Sequence, residues 1–468
     1  MPPLDDQRLE IAAELQRSIA IENTLTPAQA RAFVRCLQTA WRVPTIQWDD
    51  DQSRRQLDDA RRLFHAARVF RNIEGSASAN AQLCYRRAAE ILEWLSRAAD
   101  SLNTMVPIEL FAAGAYQLGG LPAMASGLLG QVTLQDDGAK LYALFLRGDL
   151  DRVMQTIAAF WRDHPDLTDR ESPTRLLSEE DDDKISWYIT VELVRGLGLI
   201  ADSLRRGDNE RLERALRKLG ALDNLALRSF SDDASMLVSL LNEVAREFSD
   251  ASIFRPVREL SAPAPQRATQ LDAFARRQFS RGRGILWASQ RHGLARLIEE
   301  SSFALCTPTG SGKTLVANLA LVKELLLVEH EGLPPLALYL VPSRALAGEV
   351  EAKLADELGR EFIVTGLYGG ADWGITDYWL NADQPTVLIA TVEKADALMR
   401  YLGPILVARL RLLIVDEAHQ VVPEDSQNSS ADFAEHSNRS IRLEAFVSRL
   451  LALSPEIVRI ALTAVAGG

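Results

Sequence analysis

The sequence predicts an α/β fold in its C-terminal part, a parallel sheet covered by helices, preceded by an all-α helical domain. Up to about residue 250 the apolar residues recur at helical spacing with no clear strand alternation. Beyond about residue 300 short apolar runs alternate with helical stretches, the pattern of parallel strands joined by crossover helices. Two motifs, TPTGSGKT at Thr307 to Thr314 and DEAH at Asp416 to His419, each follow such a run about a hundred residues apart.

In the N-terminal part, Thr26, Pro27 and Gln29 form a helix start: an N-cap, a proline at the first helical position and a capping-box partner. Helical periodicity continues through Leu57 to Ile73, Ala81 to Ala99, Ile108 to Leu118, Leu141 to Leu146 and Ile185 to Leu204. A helix, glycine turn, helix pattern occurs around Gly119, Gly148 and Gly207. It reads either as degenerate helical hairpin repeats that hold a partner on an extended face or as an irregular helical bundle that packs on the rest of the chain. The acidic run Glu179 to Asp183 reads as a solvated loop.

Two prolines within Ala262 to Gln266 cannot continue a helix, so residues 262–270 are predicted as a linker between a helical domain, 1–261, and an α/β domain, 271–468. Strands are expected at Ser301 to Cys306, Ala337 to Pro342, Glu361 to Leu367, Thr386 to Thr391, Arg411 to Asp416 and Ile457 to Thr463. Leu315 onward is apolar at helical spacing. The polar stretch Pro423 to Ser440 reads as a loop or mobile insertion.

TPTGSGKT fits the phosphate-loop pattern with Thr307 in the leading position, where the strict pattern has glycine. Gly310 and Gly312 let backbone N–H groups of Thr309 to Lys313, Ser311 included, turn inward around an anion. Lys313 adds charge at the β/γ-phosphates, and the Thr314 hydroxyl can ligate Mg²⁺. A chance glycine turn is the bland alternative, and the acidic motif makes it negligible. Asp416 and Glu417 end an apolar run, where a parallel sheet presents its ligand edge. There Asp416 would hold Mg²⁺ and Glu417 would orient and deprotonate the attacking water. Without the phosphate loop the same pair would read as a solvated turn. Together the motifs read as an ATP-driven motor.

At 468 residues and 47% hydrophobic, the chain has material for two to four domains. No apolar run approaches the roughly 20 residues of a membrane span, and MPPLDDQRLE lacks a secretory signal, so a cytoplasmic protein with no membrane partner is expected. Cys36, Cys84 and Cys306 lack ligand spacing and read as packing thiols. The net charge of −12 argues against coating nucleic acid with the whole surface, though not against binding it in a groove. Six arginines, Arg276, Arg277, Arg281, Arg283, Arg291 and Arg296, crowd one segment and read mainly as a solvated face, with one or two free to meet phosphates.

In this order the motifs resemble superfamily 2 helicases of the Ski2-like branch over about the last 200 residues, which implies a RecA-like first motor domain. Gln290 in LWASQ is placed like the glutamine that reads adenine. PSRALA, with Ser343 and Arg344, resembles motif Ia, and TVEKAD, with Thr391, resembles the TPEK motif. The pair Gly369 and Gly370 resembles motif Ib, and RLEAFVSRL resembles the helix after DEAH. The resemblance implies that Ser343, Arg344, Gly370 and Thr391 line a nucleic-acid strand. LTAV stands in the place of the coupling motif, linking Thr463 to His419, with Val465 unable to bond the histidine as the usual threonine does. The chain ends at Gly468 without features of a second motor domain or its arginine finger, worth about 10³–10⁵ in rate. This fragment is therefore expected to bind nucleotide and hydrolyse it poorly alone.

The helical domain ahead of such a motor is similar to the helicase subunit of Hachiman-type bacterial anti-phage systems. That resemblance implies DNA as the track and a partner, expected to be a nuclease, on the helical domain. A Ski2-like RNA helicase and a nucleotide-controlled scaffold that binds an effector through its helices are the alternatives. The intact Glu417 speaks against the scaffold, since a pure switch has little need of a base.

Overall fold

The computed structural model describes residues 4–19, 24–98, 104, 106–134, 137–165, 182–229, 232–299, 302–307, 312–330, 332–367, 377–421 and 439–464. The chain divides into two compact units, residues 1–252 with 276–285, and residues 253–275 with 286–468.

The first unit is helical. Its elements are α1 (Leu4–Ile19), α2 (Pro27–Ala40), α3 (Asp50–Glu74), α4 (Ala79–Ala98), α5 (Ile108–Leu118), α6 (Pro122–Gln131), α7 (Asp137–Leu146), α8 (Leu150–Asp163), α9 (Asp182–Arg206), α10 (Asn209–Ser229) and α11 (Asp232–Asp250). The capping box at the start of α2 forms as expected: the Gln29 N–H donates to the Thr26 hydroxyl at 3.3 Å and the Thr26 N–H to Gln29 Oε1 at 3.2 Å. All three glycine turns join helices. At the first, Gly120 takes the left-handed conformation (φ +76°) rather than Gly119, whereas Gly148 and Gly207 take it themselves. Tyr85, Ile91, Phe111, Phe145 and Leu241 are among the fully buried core residues. Arg61 on α3 pairs with Asp233 on α11 at 2.6 Å, and Arg71 with Glu243 at 3.4 Å, so charge as well as apolar area joins these helices. Of the acidic run, residues 179–181 lie outside the described residues and α9 begins at Asp182.

The second unit begins with α12 (Phe254–Ser261), a 3₁₀ turn (Pro265–Arg267) and α13 (Ala268–Ser280), whose last residues from 276 belong to the helical unit. The compact units therefore part at 252/253 and not at 262. The two prolines make only a tight turn, with Ala264 buried and Pro265 starting the 3₁₀ turn in the role that a fixed φ favours. The arginine-rich segment is divided, Arg276, Arg277, Arg281 and Arg283 going with the first unit and Arg291 and Arg296 with the second.

Next come α14 (Ala288–Glu299), α15 (Lys313–Val322), extended by a π-turn over Lys323–Leu327, α16 (Arg344–Leu358), α17 (Val392–Arg409) and α18 (Arg439–Leu453). They accompany β1 (Phe303–Cys306), β2 (Leu336–Val341), β3 (Ile363–Leu367), β4 (Thr386–Thr391), β5 (Leu410–Val415) and β6 (Val458–Thr463), six strands in the order β1-β6-β5-β2-β4-β3. Every pairing is parallel. β2 and β4 are buried along their whole length, which is why they read as continuous apolar runs. Leu338, Leu388 and Leu413 of the sheet pack with Leu398 of α17 and Phe446 of α18. The segment 422–438 lies outside the described residues, and α18 starts at Arg439. Cys36 and Cys84 are buried as expected of packing thiols, but Cys306 is exposed as the last residue of β1, the first strand of the sheet order, directly before the phosphate loop.

Candidate functional site

Because all strands run parallel, their C-terminal ends share one edge of the sheet, and the motif residues follow those ends. Cys306 pairs with Thr463 and Val415 with Ala461, so β1, β6 and β5 deliver the phosphate loop, the coupling motif and DEAH to neighbouring positions. The Thr307 N–H donates to the Thr463 carbonyl at 3.2 Å and the Asp416 N–H to the Leu340 carbonyl at 2.9 Å, continuing the ladder into the site.

Gly312 is the N-cap of α15 at φ +80°, a conformation open mainly to glycine. A Cβ there would lie 2.0 Å from Gln290 Nε2. The close approach exists because Gln290 clasps the loop: Nε2 donates to the Gly312 carbonyl at 3.4 Å, and Oε1 accepts the Trp287 N–H at 2.9 Å. Both amide functions are thus engaged by backbone. Thr309, Gly310 and Ser311 lie outside the described residues. Thr314 is exposed in the first turn of α15.

The Lys313 ammonium is buried and has no hydrogen-bond partner among the described residues. A buried cation without a partner is costly, and a polyphosphate supplies the compensating charge. Its charge lowers the pKa of Asp416, while burial, the larger effect, raises it above the ordinary carboxylate value. Two donors oppose the burial: the Tyr339 hydroxyl on Oδ2 at 3.0 Å and the Glu417 N–H on Oδ1 at 2.9 Å. Each carboxylate oxygen keeps a lone pair for a cation. The lysine, carboxylate and threonine hydroxyl form a donor set that fits a nucleotide with Mg²⁺, hard oxygens for the metal and a cation for the phosphates.

Glu417 sits at φ +47°, one of two non-glycine residues with positive φ among the described residues. Such a conformation costs on the order of 1–3 kcal/mol and persists where the surroundings enforce it. Its carboxylate lies 3.3 Å from His419 Nδ1, which is also 3.2 Å from the Thr463 hydroxyl. The Thr463 hydroxyl in turn donates to the Ala464 carbonyl at 3.3 Å. A proton on Nδ1 satisfies all three contacts, because Glu417 and Thr463 then both accept from the ring. Val465 lies outside the described residues, and the bond between the coupling motif and DEAH is made by Thr463.

The residues expected to meet nucleic acid fall elsewhere on the same edge. Ser343 caps α16, its hydroxyl accepting the Leu346 N–H at 3.3 Å, and with Arg344 it is exposed at the end of β2. Thr391, at the end of β4, is 5% exposed and stands at the N-cap of α17, so it offers little surface. Gly370 lies outside the described residues. Tyr339 is the functional residue the motifs did not reveal. It sits in a run of apolar strand residues, and its only signal is a hydroxyl opposite the strand that carries DEAH, Tyr339 pairing with Ile414.

Comparison with known proteins agrees with this edge. Residues 287–458 match the DEAD/DEAH box helicase family. Hachiman protein HamB of Bacillus cereus is 27% identical over 349 residues, which cover 74% of this chain and 29% of that protein. ATP-dependent DNA helicase Hel308 of Pyrococcus horikoshii is 38% identical over 149 residues, 31% of this chain and 19% of the relative. The chain spans under a third of the length of each. The solved structure of the DUF1998 helicase MrfA with DNA and AMPPNP is similar over 44% of this chain and 26% of that one, at 21% identity and a TM-score of 0.33. The match to the DEAD/DEAH box helicase family runs through the parallel edge that carries the phosphate loop, the DEAH turn and the coupling strand.

Proposed function

We propose that this chain contributes the first motor lobe of an ATP-dependent DNA helicase or translocase acting in bacterial anti-phage defence. The observation that carries the motor is the buried Lys313 ammonium, without a hydrogen-bond partner among the described residues, at the sheet edge that also holds Asp416 and Glu417. Bound ATP with Mg²⁺ would supply the phosphoanhydride to be cleaved. Lys313 and the backbone of the loop from Thr309 to Gly312 would hold the phosphates, with Thr314 and Asp416 on the metal. Glu417 would orient water and take its proton, and the hydrogen bonds through His419 to Thr463 would report the state of Glu417 to β6. Ser343, Arg344, Gly370 and Thr391 are proposed to meet the strand, by hydroxyl, guanidinium and backbone N–H donors suited to phosphates.

Similarity to Hel308, a DNA helicase, favours DNA over RNA. Similarity to HamB supports the defence role, and it reaches beyond the motor: the 349 matched residues exceed the 182 that lie between residue 287 and the end of the chain, so part of the helical unit is included. The helical unit is accordingly proposed as the platform for a protein partner, a nuclease in our reading.

The test is ATP turnover by the full-length protein at one fixed salt concentration, with single-stranded DNA, double-stranded DNA or RNA. Stimulation by DNA alone is expected. Lys313→Ala should abolish ATP binding, and Glu417→Gln should keep binding while lowering turnover by at least about a hundredfold. Stimulation by RNA alone would move the protein to the RNA helicases, and turnover intact in Glu417→Gln would remove the glutamate from the mechanism.

A further inference from the structure

The helical unit carries a polar groove of about 810 Å³ between α3, α10 and α11. Small-ligand sites are typically about 300–1,000 Å³. In a chain of net charge −12, the lining is notable for four guanidinium groups, Arg68, Arg71, Arg217 and Arg246. The floor is fixed by hydrogen bonds. Asp223, 4% exposed, accepts from the Ser239 hydroxyl, from Asn242 at 3.1 Å and from Arg68 at 3.2 Å, and Arg71 is held by Glu243 and Glu247 at 3.4 and 3.5 Å. Those carboxylates are therefore already matched by cations of the floor.

The remaining two cations are not. Arg217 on α10 and Arg246 on α11 make neither an ion pair nor a hydrogen bond among the described residues. Opposite Arg246 stands Gly220, where a Cβ would lie 3.2 Å from Nη2, so the glycine leaves the guanidinium room against α10. Asn72 and Asn224 add side-chain amides to the walls. A planar guanidinium fork matches phosphate oxygens, and an amide presents a donor and an acceptor side by side, as a base edge requires.

We infer that this groove binds a nucleotide phosphate on Arg217 and Arg246, with the amide-lined wall toward the base. Carboxylates of an acidic peptide are the other partner a guanidinium pair accepts; the amides and the single-nucleotide scale of the groove favour the nucleotide. The phosphate belongs either to a free nucleotide or to a nucleic-acid strand, and the probes separate these sources.

The experiment uses the full chain carrying Lys313→Ala, which removes the motor's nucleotide site, and follows fluorescence polarisation of a labelled ATP analogue and of a labelled single-stranded oligonucleotide. Arg217→Glu with Arg246→Glu should weaken binding by about tenfold or more for each guanidinium lost. A mononucleotide that binds and is lost on charge reversal assigns a free-nucleotide site. A strand alone behaving so, with a salt slope shallower by about 0.7 per guanidinium, assigns the strand backbone. Both arginines are exposed, so the fold should survive, and Arg217→Gln with Arg246→Gln repeats the measurement without adding negative charge. Neither probe binding, or both binding equally well to the parent and to the two double variants, overturns the assignment.

Discussion

The Tyr339 hydroxyl donates to Asp416 Oδ2 at 3.0 Å from a side chain only 2% exposed. With the Glu417 N–H on the other oxygen, it fixes the rotation of the carboxylate that we propose as a metal ligand. Burial alone pushes Asp416 toward its neutral form, and the tyrosine is the first of the groups that oppose this. Tyr339→Phe keeps the ring in its buried strand and removes one hydrogen bond to a charged group, worth about 1.5–3 kcal/mol. The Mg²⁺ concentration for half-maximal ATP binding should rise by about tenfold. The sign with pH follows. A carboxylate is a ligand only above its pKa, so metal-dependent binding falls as pH falls through that value, and losing the Tyr339 donor raises the value further. The variant should lose binding at a higher pH than the parent. An unchanged Mg²⁺ titration at every pH would remove any positioning role from the tyrosine.

At the scale of elements, Arg409 shows what holds the far edge of the sheet in place. It ends α17, is 1% exposed, and donates to the Pro334 carbonyl at 2.8 Å, the Trp379 carbonyl and the Thr386 hydroxyl at 3.3 Å. Burial lowers its pKa, yet three neutral acceptors replace much of its lost hydration; Pro334 and Thr386 sit at the starts of β2 and β4, and Trp379 in the 3₁₀ turn Asp377–Asn381. Arg409→Leu fills similar space and orphans the acceptors, so the unit should lose about 3 kcal/mol, seen as a lower urea midpoint at unchanged slope. A loss below about 1 kcal/mol would mean that water takes over the bonds. Neither Arg409 nor Tyr339 was legible in the sequence, because a buried polar side chain takes its meaning from acceptors 23 to 77 positions away. The strands were legible to within two residues, since β2 is apolar throughout and β4 and β5 carry the apolar runs Val387 to Ala390 and Leu412 to Val415. The phosphate loop and DEAH were legible for the same reason, each being a local pattern attached to such a run. The division of the chain was not: the conspicuous prolines at 263 and 265 mark a turn inside one unit, while the crossing at 252/253 has no breaker residue.

For the whole molecule, every group we place at the motor's nucleotide site belongs to the second unit: the loop residues to Thr314, then Asp416 and Glu417, with Gln290 holding the loop and His419 and Thr463 behind the glutamate. A ligand stabilises what it binds by RT ln(1 + [L]/Kd), about 2.7 kcal/mol at a hundredfold excess over Kd. That free energy enters first where the opening of the structure would break ligand contacts. Hydrogen exchange with Mg²⁺ and ATP should therefore slow in peptides covering β1, α15, β5 and β6, and remain unchanged across α4 to α8. Lys313→Ala should erase the slowing while leaving the exchange of the apo protein as it was. Groove occupancy in the helical unit predicts the complementary pattern, slowing in α3, α10 and α11 that survives Lys313→Ala and disappears with Arg217→Glu and Arg246→Glu. Equal slowing of both units that Lys313→Ala abolishes throughout would show instead that the motor site alone controls both, and the second site would have to be given up.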